Sequence, residues 1–190
     1  MSALTILIIR HGEKPEESSP DPGLNAAGSP DDKSLVIRGW QRAGSWAALF
    51  GTGLNSSEYP KPDLIYAADP NGTLSPETSQ RPFQTVTPLA ARLGATPPDT
   101  SCAVGEEVKL VEAVLGQTGV VLIAWEHKAI ARTILPRIAK DQSIPDMPTK
   151  WDGTRFDVVL RFDRASPDST WTFRQLFPYL LSGDSDTPMT

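Results

Sequence analysis

The amino-acid sequence predicts an α/β protein: a three-layer sandwich with a mostly parallel central sheet flanked by helices, and a strand hairpin at its C-terminal end. Two observations carry this. Thr5–Ile9 (TILII), Asp63–Ala68 (DLIYAA) and Gly119–Ala124 (GVVLIA) are short, continuous apolar runs, the pattern of strands covered on both faces. They alternate with segments whose apolar residues recur at helical spacing, and such alternation builds parallel sheets with helices on either side.

Residues 12–34 follow the first strand and are rich in Pro, Ser, Asp and Gly, so they read as a loop. Val36–Leu49 places Ile37, Trp40, Ala43, Ala47 and Ala48 on a helical period, with Gly51 and Gly53 as a stop signal. A loop, Asp69–Ser79, follows the second strand. Pro82–Leu93 reads as a helix with proline in its first turn and Gly94 past its end, although Pro88 interrupts its middle. Glu106–Leu115 is a third helix, closed by Gly116. His127–Ala139 is a fourth, which Pro136 should bend. Phe156–Phe162 and Thr170–Phe177 make the hairpin, turning at Ser166–Asp168.

At 190 residues the chain fits one domain, read as residues 1–181, with a flexible tail over 182–190 where the sequence is polar and aperiodic. A net charge of −5 argues against a nucleic-acid surface but leaves room for a local cationic pocket. The single cysteine, Cys102, allows no internal disulfide and suits a reducing compartment. Ala3–Ile9 is an apolar run of seven residues ending in Arg10, a strand rather than a signal peptide. No stretch approaches the ~20 apolar residues of a membrane span. The expectation is a soluble, cytoplasmic protein. Its 18 prolines are scattered through the loops rather than gathered in a linker.

The chemistry concentrates at one edge of the predicted sheet. The chain has two histidines, His11 and His127, and each falls just past the C-terminal end of a central strand. In sheets of this kind ligands bind outside those ends. Arg10 adjoins His11, and Arg81 opens a helix after the second strand's loop. Helix starts at Arg81 and His127 add partial positive charge. Two histidines and two arginines converging there suit a phosphoryl group, because the planar guanidinium fork matches phosphate oxygens.

Four segments in order resemble the histidine phosphatase superfamily, the phosphoglycerate mutase-like proteins. Leu7–Pro15 (LIIRHGEKP) carries the R-H-G signature, and Arg38–Ala43 (RGWQRA) resembles the R-G-x-x-R-A stretch. Ser79–Thr85 (SQRPFQT) is similar to S-x-R-x-x-Q-T, and Trp125-Glu126-His127 stands where the second histidine follows a buried strand. The resemblance covers most of residues 5–139. It implies that His11 attacks phosphorus to form a phosphohistidine, and that Arg10, Arg81 and His127 clamp the phosphoryl oxygens. It requires neither metal nor cofactor. A leaving alkoxide needs a proton, and the candidate acids are Glu13, Glu106, Glu107 and Glu126. Glu126 is favoured, because a carboxylate ending a buried strand is costly without work or a partner. Mutases usually follow R-H-G with a hydroxyl residue and an asparagine nearby. This chain has Glu13, Lys14 and Pro15 there, which favours hydrolysis of a small phosphate monoester over transfer between hydroxyls.

Two other readings compete. One is a non-catalytic phosphoryl-binding or regulatory module on the same fold. The other is a zinc site drawn from His11, Glu13, Glu126 and His127, which the flanking arginines oppose. Trp125, Trp151 and Trp171 fit core or hairpin packing better than a ligand platform, and Arg132 and Arg137 fit a solvated face. Residues 12–34 and 141–155 should overhang the pocket and set specificity.

Overall fold

The computed structural model describes residues 3–16, 20–52, 57–94 and 97–190. Gly53, half of one predicted helix stop, and residues 17–19 of the first loop lie outside the described residues. Among the described residues there are five strands: β1 (Leu4–Arg10), β2 (Leu64–Ala67), β3 (Gly119–Trp125), β4 (Val159–Arg164) and β5 (Thr172–Leu176). They form one sheet in the order β2-β3-β1-β4-β5. β3 pairs in parallel with both β1 and β2, whereas β4 runs antiparallel to β1, and β5 to β4. The βα part of the chain thus supplies the parallel half of a mixed sheet, and the C-terminal hairpin supplies the antiparallel half.

Both faces of the sheet are covered, which is why β1 reads as an unbroken apolar run. Helices α1 (Ile37–Gly51) and α2 (Arg81–Leu93) cover one face, where Trp46, Phe50, Val86 and Leu89 pack on Leu7, Ile9 and Leu122. Helix α3 (Glu107–Leu115) and the last helix, α4 (His127–Ala139), cover the other, where Leu110, Val114, Ile130 and Ile134 pack on Ile6, Ile8 and Ile123. Each large side chain buried this way contributes roughly 1.5–3 kcal/mol. Trp125, Trp151 and Trp171 belong to the second of these clusters, and Arg132 and Arg137 are exposed.

α4 is built in three consecutive pieces: an α turn His127–Ala129, a π segment Ile130–Ile134 and an α turn Leu135–Ala139. Pro136 has no N–H to give to the preceding turn, and the chain widens there, with the Leu135 N–H reaching the Ile130 carbonyl. α2 runs straight through Pro88 and ends at Gly94, whose φ of 59° lets its N–H reach the Ala90 and Ala91 carbonyls.

Two expectations need correction. The strand predicted from Phe156 begins three residues later, at Val159, because Phe156 and Asp157 are engaged elsewhere. The chain end expected to fray, 182–190, lies bound against the domain. Met189 is buried in the core, and its backbone exchanges two hydrogen bonds with the Gln175 side chain (2.7 and 2.9 Å). The Ser185 N–H donates to Asp157 (2.7 Å), and Asp184 pairs with Arg42 (2.8 Å). These partners are distant in sequence, so local periodicity carries no trace of them. Among the described residues no helix is long and apolar enough to cross a membrane.

Candidate active site

β1 and β3 end side by side, with Arg10 opposite Trp125, and the His11 N–H continues the ladder by donating to the Trp125 carbonyl (3.1 Å). This sets His11 beside the Glu126–His127 corner. The third segment is tied in through one hydroxyl. Thr85 Oγ1 accepts the Gly12 N–H (2.8 Å) and donates to the Arg81 carbonyl one turn earlier (2.7 Å). The first turn of α2 is thereby fastened to the residue after His11. Gly39 allows a further close approach: a Cβ there would stand 2.5 Å from the Glu13 carbonyl oxygen.

His11 is buried, and its Nδ1 lies 2.7 Å from the Gly12 carbonyl oxygen. A carbonyl only accepts, so Nδ1 carries the proton, and in the neutral ring Nε2 keeps its lone pair. Burial holds the His11 pKa well below 6.5, and the nearby charges of Arg10, Arg81 and His127 push it the same way, against the Gly12 hydrogen bond. The ring is therefore neutral at neutral pH. Arg10 is 1% exposed. Its Nη1 donates to the Gly153 (2.7 Å) and Arg155 (3.1 Å) carbonyls, and its guanidinium carbon stands 3.8 Å from the centroid of the Phe156 ring. Nε is buried and has no hydrogen-bond partner among the described residues. Burial lowers the Arg10 pKa to about 10, with Glu126 opposing and Arg81 adding to the effect, so the guanidinium stays charged. Arg81 is also lowered by burial, against Glu77 and Asp31, and its Nε donates to Ser79 (3.2 Å).

Glu126 caps α4, accepting the N–H groups of Lys128 (3.0 Å) and Ala129 (2.9 Å). Its Oε1 also lies 2.7 Å from His127 Nδ1, out of line for a hydrogen bond. Burial alone would raise its pKa, but the His127 ring and the two backbone donors hold it down at about 2. The proton-donor role expected of Glu126 does not fit an ionised cap. The other acid candidates are also engaged as acceptors. Glu13 receives three hydrogen bonds from buried Arg42 and an ion pair from Arg38 (3.2 Å). Glu107 accepts the Trp125 indole N–H and the Gly105 N–H, both at 2.9 Å. Glu106 accepts the Ala103 N–H (2.8 Å) and faces Lys109. Among the described residues no group of three or more His, Cys, Asp or Glu side chains is placed to hold a metal ion.

Three features escaped sequence reasoning. The loop carbonyls and Phe156 that hold Arg10 lie in a stretch with no motif. The Glu13–Arg42–Asp184 network depends on a residue assigned to a free tail. Thr85 stood inside a quoted motif, but only the fold pairs it with Gly12. A cavity of about 470 Å³ opens beside the site, with Glu13, Lys14, Arg38, Thr154, Arg155 and Phe156 among its lining residues.

No family model matches the chain, and no curated protein matches it either. Solved structures do. A mycobacterial hydrolase, "Mycobacterial hydrolase 2", aligns with a TM-score of 0.54 at 13% identity, over 98% of this chain and 95% of that one. The protein histidine phosphatase SixA complexed with tungstate aligns at 0.53 and 12% identity, over 92% and 97%. The ecdysone phosphate phosphatase from Bombix mori, also in complex with tungstate, aligns at 0.50 and 12% identity, over 96% and 95%. Likeness at such low identity speaks for architecture: the chain has the histidine phosphatase fold, phosphoglycerate mutase-like.

Proposed function

We propose that this chain is a metal-independent phosphomonoester hydrolase that works through a phosphohistidine on His11. The observation that carries the reading is the neutral His11 ring. Its Nδ1 proton is spent on the Gly12 carbonyl, so Nε2 is free, among Arg10, Arg81 and His127. Nε2 attacks phosphorus, a P–N bond forms, the P–O bond to the leaving group breaks, and that oxygen keeps the electron pair. Water then attacks the phosphoenzyme, the P–N bond breaks, and inorganic phosphate leaves with Nε2 restored. Splitting one hard displacement into two is the gain of covalent catalysis. Fixed cationic donors around the equatorial oxygens stabilise the charge of both transition states. Two of the structural neighbours hold tungstate, an oxyanion, and the charge of this pocket suits one.

Arg10, Arg81 and His127 hold the phosphoryl oxygens in this reading. Glu126, ionised beside His127 Nδ1, is a positioning residue that orients the His127 ring at the phosphoryl site. With Glu13, Glu106, Glu107 and Glu126 engaged as acceptors, leaving groups that depart without a proton from the protein, such as phenolates, should react fastest. The adjoining cavity gives the leaving group room.

The test is turnover of p-nitrophenyl phosphate and a panel of phosphate monoesters in EDTA, beside His11→Ala. Hydrolysis that persists in EDTA and disappears with the substitution supports the reading. Phosphate binding without turnover of any ester would assign the site to ligand binding. Activity that EDTA removes would assign it to metal chemistry.

A further inference from the structure

Arg10 is oriented by backbone, not by side chains. Its Nη1 bonds go to the Gly153 and Arg155 carbonyls, and the Phe156 ring lies against its guanidinium. Residues 153–156 therefore decide where the guanidinium points. This loop belongs to no helix or strand, so something else must fix it. Part of the answer is local: the Asp152 side chain accepts the Thr154 N–H (2.8 Å) and hydroxyl (2.7 Å), and the Trp151 indole N–H donates to the Arg155 carbonyl (2.9 Å).

The rest comes from the chain end. The Arg155 guanidinium spans three acceptors: Asp157 Oδ1 (2.7 Å), the Ser185 carbonyl (2.8 Å) and the Thr187 carbonyl (2.6 Å). Buried Asp157 returns a bond to the same segment by accepting the Ser185 N–H (2.7 Å). The segment is anchored on both sides of this grip. Asp184 pairs with buried Arg42 (2.8 Å), which holds Glu13, and Met189 is buried with its backbone bonded to Gln175. The chain end thus forms a strap reaching the phosphoryl site from two directions, to Arg10 through Arg155 and to the loop after His11 through Arg42.

We infer that the C-terminal strap, residues 184–189, acts through Arg155 as a positioning element for Arg10, so that Arg155 helps set phosphoryl binding without touching the phosphoryl group. The inference rests on the phosphoryl-site reading above. Its physical basis is that small misplacements of a catalytic group, made from a distance, reduce rate by up to about 10²-fold. A bidentate arginine grip on two carbonyls is not reproduced by a shorter or single-headed side chain.

The experiment is calorimetric binding of inorganic phosphate and orthovanadate to four proteins: wild type, Arg155→Ala, Arg10→Ala and the double variant. Vanadate mimics the trigonal-bipyramidal transition state, where Arg10 placement matters most. Arg155→Ala should weaken vanadate more than phosphate, by about tenfold or more, and should have no further effect once Arg10 is gone. Equal losses in both Arg10 backgrounds, or unchanged vanadate binding in Arg155→Ala, would overturn the inference. If wild type binds neither anion, the phosphoryl-site reading itself fails, which is a distinct result. Should Arg155→Ala not fold, Arg155→Lys carries the same comparison. It keeps the Asp157 pair but cannot span both carbonyls, so it should show the same vanadate-selective loss in smaller measure; no selective loss would count against the strap.

Discussion

The Thr85 hydroxyl accepts the backbone N–H of Gly12 at 2.8 Å, and this one bond joins the loop carrying the proposed nucleophile to the helix carrying Arg81. Both ends of the bond are buried, so nothing in solvent can replace it. Thr85→Val keeps the shape but strands the Gly12 N–H, which costs about 1–3 kcal/mol. Chemical denaturation should show that loss, and kcat should fall with it. Thr85→Ser should recover both.

Glu126 gives a pH signature. Its folded pKa, about 2, lies below the ordinary 4.5, so its stabilising contacts are complete above about 4.5 and are lost as pH falls toward 2. Thermal unfolding measured across that interval should show a shallower acid loss for Glu126→Gln than for wild type. At neutral pH the same variant should lose activity on the order of 10²-fold, because the His127 ring is no longer held. A variant with unchanged kcat/KM would remove Glu126 from the site's function.

Burial, helped by the guanidinium groups of Arg10 and Arg81, keeps His11 neutral. Its folded pKa lies below 6.5, so its ring resonances should stay fixed as pH falls from about 8 to 6, whereas an exposed histidine titrates across that range. The same sign means that stability falls once the unfolded histidine begins to protonate below about 6.5. An NMR titration in which His11 gains its proton near 6.5 would contradict the burial argument.

Arg42 sits between two carboxylates, Glu13 and Asp184, and is 2% exposed. Burial would lower its pKa, but the hydrogen bonds it donates to both carboxylates raise it overall. Arg42→Met leaves two buried carboxylates facing each other and should cost about 3–5 kcal/mol in denaturant unfolding. The loss should shrink at low pH, where the carboxylates accept protons.

What was legible in the sequence was what local pattern encodes. TILII and GVVLIA announced strands covered on both faces, and Gly94 marked a helix end, because burial and backbone conformation act residue by residue. His11, Arg81 and His127 were placed at one sheet edge by topology alone. The contacts of Asp157 with Ser185 and of Asp184 with Arg42 could not be read this way, since they span 28 and 142 positions and no periodicity records them. Glu126 was legible as a position beside His127 but not as an ionised helix cap, because that follows from the two N–H groups it accepts.

The most direct measurement is chemical quench of a reacting mixture under alkaline denaturing conditions, followed by mass spectrometry of the peptide containing His11. A phosphoryl group on His11 that appears within one turnover and decays as inorganic phosphate forms is the predicted result. Steady hydrolysis with no phosphoryl group on His11, or with one on another residue, would contradict the account at its centre.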